Sequence, residues 1–416
     1  GREAGSPEAP EGHQHQKRHS KKGTCTLTTT PETLRALREE LSLCFPERQH
    51  VIDGALAAAL ASEHVFLLGP PGSGKSALVR ALAIAFSSTH FERLLTKFST
   101  PEELFGPVSL RALEDDRHER VVAGKLPEAE FVFLDECFNA NSAILNSMLS
   151  VMNERVFHNG GKPLACPLVT LFGASNQLPE GKDLEALFDR FLLRFDVQYI
   201  VQLRNLRDVL LAPEPTSSVR ISKETLRAAQ AEAASVDVTP ETLDALVAIR
   251  DSLQAEGIVA SDRRWKKSLK LVRASAYLMG ERQTSPEDLQ ILTDSLWREP
   301  RERSKVSRIV GQNADPASAK AEEILECARE TAKRVTLLKA GDRAAYLTAA
   351  SKALDEYIEE KQHLQGLSGS AGTRAKRLLV DAQREIQGLH AETTRIVASS
   401  LGLGDRVVQA VKQLVT

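Results

Sequence analysis

The sequence predicts an α/β chain: a parallel sheet flanked by helices, then an all-helical domain, then a further helical region towards the C-terminal end. Three observations carry that prediction. Short apolar runs, "HVFLLG", "LLTKFS", "EFVFLDE", "LVTLFGASN" and "FLLRFDV", alternate with helical segments up to Tyr199. They are rich in Val, Leu and Phe and hardly alternate in polarity, as strands buried on both faces of a parallel sheet do. The first runs into "GPPGSGKS" and the helical "SALVRALAIAF", and beyond Tyr199 only helical periodicity persists.

Taken in order, the elements divide the chain where its composition changes. Residues 1–30 are rich in Gly, Pro, Ser, Glu, His and Lys with almost no apolar residue, so they are expected to form a disordered tail. Its "GHQHQKRH" reads as solvated histidines rather than a metal site. From "TPETLRALREELSLCF" the pattern turns helical, with Thr30 placed to cap and Pro31 at the first helical position. Residues 31–199 then form the expected α/β core. Residues 200–303 carry "KETLRAAQAEAAS", "PETLDALVAIRDSLQAEG", "DRRWKKSLKLVRASAYLMG" and "SPEDLQILTDSLWREP", successive amphipathic helices with Ser or Pro at their starts. Residues 304–416 are again helical and show no convincing block of alternating strands.

Composition bounds what such a chain does. At 416 residues it exceeds one ordinary domain, and 42% hydrophobic with 26% charged residues is a soluble globular mix. Lys and Arg number 54 against 56 Asp and Glu, and aromatics are 5%. That balance argues against a nucleic-acid coat or motor and against a membrane-surface protein. The five cysteines are scattered without CxxC spacing, which fits a reducing compartment and a cytoplasmic address. No apolar run reaches the roughly 18 residues of a membrane span.

The chemistry sits at the ends of the apolar runs. Gly69, Pro70, Pro71, Gly72, Ser73, Gly74, Lys75 and Ser76 match GxxxxGK[ST] with a strand before and a helix after. Glycines let backbone N–H groups turn inward around phosphate oxygens, and the following helix presents its positive end to the same anion. Lys75 is placed for the β and γ phosphates and the Ser76 hydroxyl for Mg²⁺. About sixty residues on, the spacing of successive sheet strands, "EFVFLDE" ends in Asp135, expected to bind Mg²⁺ through water, and Glu136, expected to polarise the attacking water. Asn176 closes the next strand as a neutral amide for the γ phosphate and the lytic water. "EALFDRFLLRF" offers Arg190 as a guanidinium supplied from a neighbouring subunit, with Arg194 as the alternative. Cys137, directly after the acidic pair, reads as an inert buried thiol.

The combination of "GPPGSGKS", "FLDE", "GASN" and "LFDRF" resembles the MoxR family of AAA+ ATPases. "FSTPEELFGPVSLRAL", "GKLPEAEFVFLDE", "ILNSMLSVMNERVFHNG" and "SDRRWKK" point to its RavA branch. The likeness covers about residues 34–300. It implies a P-loop AAA+ core with a helical lid, assembly into homo-hexameric rings, and Mg²⁺-dependent hydrolysis of ATP at subunit boundaries. ATP rather than GTP follows from it too, with the lack of an NKxD motif in support. Arg263, with Arg264 as the alternative, holds the position of the lid arginine that senses the γ phosphate within its own subunit. The segment "STPEELFGPVSLRALEDDRHERVVAGKL" matches the family's helical insertion and "ERVFHNGGKPLACPLV" its hairpin, both candidates for gripping a partner. Family clients include proteins with a von Willebrand factor A domain. The leading expectation is therefore remodelling or maturation of a protein client, ahead of a slow nucleotide-controlled scaffold and of a nucleic-acid motor. RavA relatives also carry a small β-rich domain that binds an effector, and this chain offers no counterpart to it.

Overall fold

Helix α1, Thr30–Cys44, opens the part of the chain that the computed structural model describes: residues 30–211, 217–338, 343–367, 369 and 373–400. The tail expected over 1–30 lies outside the described residues except for Thr30. α1 turns Leu34, Leu37 and Leu41 inward at helical spacing. Helix α2, Gln49–Ala61, is alanine-rich and buried almost throughout. Strand β1, His64–Leu68, feeds the glycine loop, and α3, Lys75–Ala85, leaves it. Strand β2, His90–Leu94, precedes the short helices α4, Pro101–Phe105, and α5, Leu110–Glu114. Then follow β3, Phe131–Asp135, and α6, Ser142–Glu154. The antiparallel hairpin is β4, Val156–Asn159, with β5, Lys162–Ala165. Strand β6, Thr170–Ser175, helix α7, Lys182–Phe188, and β7, Phe191–Asp196, complete the core.

The five strands β1, β2, β3, β6 and β7 form one parallel sheet in the order β2-β3-β6-β1-β7. Side chains alternate across it. Val65 and Leu67 of β1 join the core under α1, α2 and α3, while Phe66 and Leu68 join the core on the other face with α6. The strand expected at "LLTKFS" starts earlier, at His90, and ends where that run begins. Its position at the sheet edge explains the shift: Glu92, Arg93 and Leu94 face solvent there, so the strand lacks the continuous apolar signature. The insertion and the hairpin are sewn together, since Asn159 accepts from the Arg120 backbone N–H at 2.6 Å and donates to its carbonyl at 3.1 Å.

Beyond β7 come α8, Leu203–Leu211, α9, Lys223–Ala234, α10, Pro240–Ala255, and α11, Asp262–Met279. Pro286–Asp294, expected as an ordinary amphipathic helix, winds as a 3₁₀ helix instead. That tighter pitch brings residues three apart onto one face, and Leu289 and Leu292 are both fully buried. Helix α12, Pro300–Ala314, crosses the division expected at 303/304, because Val306, Ile309, Val310 and Ala314 share one core with Leu246, Leu289, Leu292 and Trp297. The helical domain next to the sheet therefore reaches Ala314. Helices α13, Pro316–Leu338, α14, Arg343–Leu367, and α15, Thr373–Ser400, pack around a separate core that includes Tyr357, Leu364, Leu379 and Ile386. Among the described residues no helix is long and apolar enough to cross a membrane.

Candidate active site

The glycine loop is shaped by backbone conformation and by one close approach. Gly72 and Gly74 have φ of 78° and 85°, the left-handed region that glycine occupies without penalty. Gly69 faces a different constraint: a Cβ there would stand 2.2 Å from the Val197 carbonyl oxygen. Lys75 opens α3 and is nearly buried; its Nζ donates to the carbonyls of Gly69, at 2.9 Å, and Pro70, at 2.8 Å. Burial pushes the ammonium below its ordinary pKa, and the nearby Asp135 and Glu136 carboxylates partly oppose that. The hollow inside the loop is only about 10 Å³, lined by Arg48, Val51, Ser73, Lys75 and Val197 among others. The lysine thus spans its own cradle, on the side where the phosphates belong.

One wall of this hollow was not legible in the sequence. Arg48 donates to the Gln198 carbonyl. Glu47 accepts the backbone N–H groups of Val201 and Gln202, each at 2.9 Å, and the Asn205 amide. Tyr199 donates to the Pro71 carbonyl at 3.1 Å. The α1–α2 connection and the segment after β7 therefore meet beside the loop. Neither carries a motif; only long-range pairing joins residues about 150 positions apart.

Asp135 ends β3 and Glu136 follows it in the left-handed conformation, φ 50°. Such backbone is uncommon for a residue with a side chain and clusters at functional sites. Here it turns the Glu136 carboxylate towards β6, where the Ser175 hydroxyl donates to it at 3.3 Å. Ser175 also accepts from the Gln177 backbone, and its carbonyl accepts from the Gly69 N–H at 3.0 Å, which ties the ends of β6 and β1 together. Asn176 stands exposed at the same end. Ser175 is the contact of Glu136 that the sequence motifs did not single out; its signal is a hydroxyl in the last buried place of "LFGAS". Cys137 is fully buried and burial drives its thiol pKa up, so it holds its proton.

Arg190, Arg263 and Arg264 lie at the opposite end of the sheet, and Arg194 sits midway along β7, paired with Phe66. Phe191, directly after Arg190, pairs with His64 at the start of β1, whereas the loop leaves β1 after Leu68. A strand of five residues at about 3.3 Å each separates the two ends by roughly 16 Å. Arg194 is 2% exposed, stacked over Phe188 at 3.9 Å and hydrogen-bonded to the carbonyls of Trp297 and Phe188. Arg264 is also buried and donates to the carbonyls of Leu192, Ser295, Asp189 and Phe191 and to the Asp189 carboxylate. Both act as struts. Arg190 instead bonds only the Ala186 carbonyl, leaving Nε without a partner, and burial and the Arg263 cation beside it push its pKa down. Arg263 is exposed and bonds the Asn153 side chain at 3.2 Å. Asn153 belongs to the last turn of α6, so Arg263 stands beside that helix end and Arg190.

Residues 32–236 match the family described as the MoxR domain in the MoxR-vWA-beta-propeller ternary systems, and residues 241–310 match the AAA lid domain. Two uncharacterized proteins of Methanocaldococcus jannaschii are similar over most of their length. One is 47% identical over 276 residues, 66% of this chain and 74% of that protein; the other is 44% identical over 295 residues, 70% and 77%. The chain belongs to the MoxR family of AAA+ ATPases. A crystal structure of a candidate ATPase from Cytophaga hutchinsonii shares the fold with a TM-score of 0.56 at 17% identity, covering 68% of this chain and 94% of that one. As a MoxR-family chain it is expected to take a nucleotide with Mg²⁺, and the donor set suits both. Ser76 is the second residue of α3 and Asp135 is the last residue of the buried, apolar β3, a hydroxyl and a carboxylate of the hard-oxygen kind that Mg²⁺ takes. A cavity of about 1160 Å³ lies elsewhere, between α2, the lid and the C-terminal helices.

Proposed function

We propose that this chain is an ATP-hydrolysing remodeller that works as a ring, each nucleotide site being completed by the next copy. The observation that carries this reading is the division of charge along the sheet. Lys75, Asp135, Glu136 and Ser175 gather at the carboxyl ends of the strands, while Arg190 and Arg263, neither within ion-pair distance of a described carboxylate, stand together at the amino ends. One subunit cannot bring both sets to one phosphate in this conformation; a head-to-tail neighbour can.

In that reading the Gly72–Ser76 backbone and the α3 N-terminus hold the phosphates, and Lys75 leaves the Gly69 and Pro70 carbonyls to reach them. Ser76 and Asp135 hold Mg²⁺, which supplies charge neutralisation on the phosphate oxygens. Glu136, aligned by Ser175, takes the proton of the lytic water as it attacks, and Asn176 orients that water. Arg190 and Arg263 of the neighbouring copy stabilise the charge developing on the γ phosphate. The client is a protein, and the matched family, named for MoxR-vWA-beta-propeller systems, makes a von Willebrand factor A domain the first candidate. Phe98, 91% exposed beyond β2, and Leu110, 77% exposed on the insertion, are available to grip it. Membership of the RavA branch rests on the quoted sequence likeness alone.

The test is phosphate release by the full chain with Mg²⁺, with and without DNA, beside a Glu136→Gln chain. We expect ATP binding to survive in Glu136→Gln and turnover to fall by about 10²–10⁴-fold. Unchanged turnover would remove Glu136 from its role, and stimulation by DNA would favour a nucleic-acid motor. Capture of partners on the ATP-loaded Glu136→Gln chain then addresses the client.

A further inference from the structure

Glu63 is 2% exposed, immediately before β1, and two lid lysines converge on it: Lys267 at 2.6 Å and Lys270 at 3.1 Å. Residues 263, 267 and 270 are spaced i, i+4 and i+7, so Arg263 stands on the same face of α11 as the two lysines. That cationic stripe lies along the amino edge of the sheet. Glu63 neutralises its lysines, while Arg263 at the end of the stripe bonds the Asn153 amide and lies close to the Arg190 cation. The next residue, Arg264, points to the buried face and fastens the same helix to Asp189, Phe191 and Leu192, the residues that flank and follow Arg190.

The helix that carries Arg263 and the strand start that carries Arg190 are therefore one joint, closed by a buried carboxylate. Isolated, Glu63 would be a costly buried charge; with two lysines it becomes a fixed point. We propose that Glu63 is a positioning residue: through Lys267 and Lys270 it locks α11 to the core, so that Arg263 and Arg190 are presented as one rigid pair to the nucleotide of a neighbouring copy. The proposal rests on the ring reading above, and it makes the lid a fixed bracket rather than a flap that swings over its own phosphates.

The test mixes variants and reads phosphate release per competent site. Glu136→Gln subunits keep their arginines but cannot turn over; Arg263→Ala and Glu63→Gln subunits keep their own loop and acidic pair. Alone, Glu63→Gln is expected to lose about tenfold in kcat with KM for ATP within about twofold, since the loop is a strand's length away. Mixed in equal amounts with Glu136→Gln, both Arg263→Ala and Glu63→Gln are expected to regain at least about fivefold, because intact arginines then face their sites. Lys270→Gln, altered at a half-exposed side chain that folding tolerates, should show a weaker form of the same pattern. Recovery for Arg263→Ala but not for Glu63→Gln or Lys270→Gln overturns the positioning role, as does full activity of Glu63→Gln alone. Recovery for none, Arg263→Ala included, overturns the ring reading itself.

Discussion

At the scale of single residues, the hydrogen bonds around Glu136 and His64 decide what titrates and what stays aligned. Ser175 spends its hydroxyl on Glu136 and its carbonyl on the Gly69 N–H. Ser175→Ala removes the first and keeps the second. A hydrogen bond to a charged group contributes about 1.5–3 kcal/mol, so turnover should fall about tenfold while ATP binding, measured by fluorescence titration, holds. His64 is wholly buried between β1, β6 and α6. Its Nδ1 accepts from the Leu171 N–H at 3.0 Å, and its Nε2 lies 3.0 Å from the Met152 carbonyl and 2.6 Å from the Arg155 guanidinium. Burial, with the Arg155 guanidinium alongside, holds its pKa well below the ordinary value. The unfolded chain therefore binds a proton near pH 6.5 that the native chain refuses. This residue's contribution is intact above about pH 6.5 and is lost as pH falls below it. Thermal melts between about pH 7 and 5 should show the loss, and a His64→Asn chain should show a flatter slope.

At the scale of elements, each part of the site is an end of something regular. β1 ends at a glycine because β7 runs alongside: the Val197 N–H bonds the Leu68 carbonyl at 2.7 Å and its own carbonyl fills the space where a Gly69 Cβ would stand. Gly69→Ala must push β1 and β7 apart or abandon that bond, so a loss of at least about 2 kcal/mol in chemical denaturation is expected, with ATP binding abolished. Gly72→Ala meets no such wall and is strained only by its φ, which makes it the milder control. Helix α11 is placed by caps and struts together. Ser261 accepts from the Arg264 backbone at its start and Gly280 closes it in the left-handed conformation. Its two arginines then part ways: Arg264 turns inward to carbonyl groups and Arg263 stays on the rim.

At the scale of the whole molecule, the chain has a sheet with a core on each face, a helical lid ending at Ala314 and a bundle with a core of its own. Because the bundle's apolar residues pack mainly on one another, a chain ending at Asp315 should fold, melt cooperatively and bind ATP within about twofold of the full chain; failure to fold would show that the bundle is needed for the lid. Sequence pattern alone was enough for the α/β class, the glycine loop, the acidic pair and four of the five sheet strands, since each is dictated by local physics: buried strands demand unbroken apolar runs, and left-handed turns demand glycine. The edge strand escaped because solvent on one side lets Glu92 and Arg93 interrupt the run. The choice between neighbouring arginines escaped for a different reason. Arg190 and Arg194, or Arg263 and Arg264, have the same side chain and almost the same local context; only the folded chain buries Arg194 against Phe188 and Arg264 against the start of β7, and leaves the other two cations together. Which end of the sheet a charge faces is set by strand register between residues more than a hundred positions apart, and no local pattern encodes that.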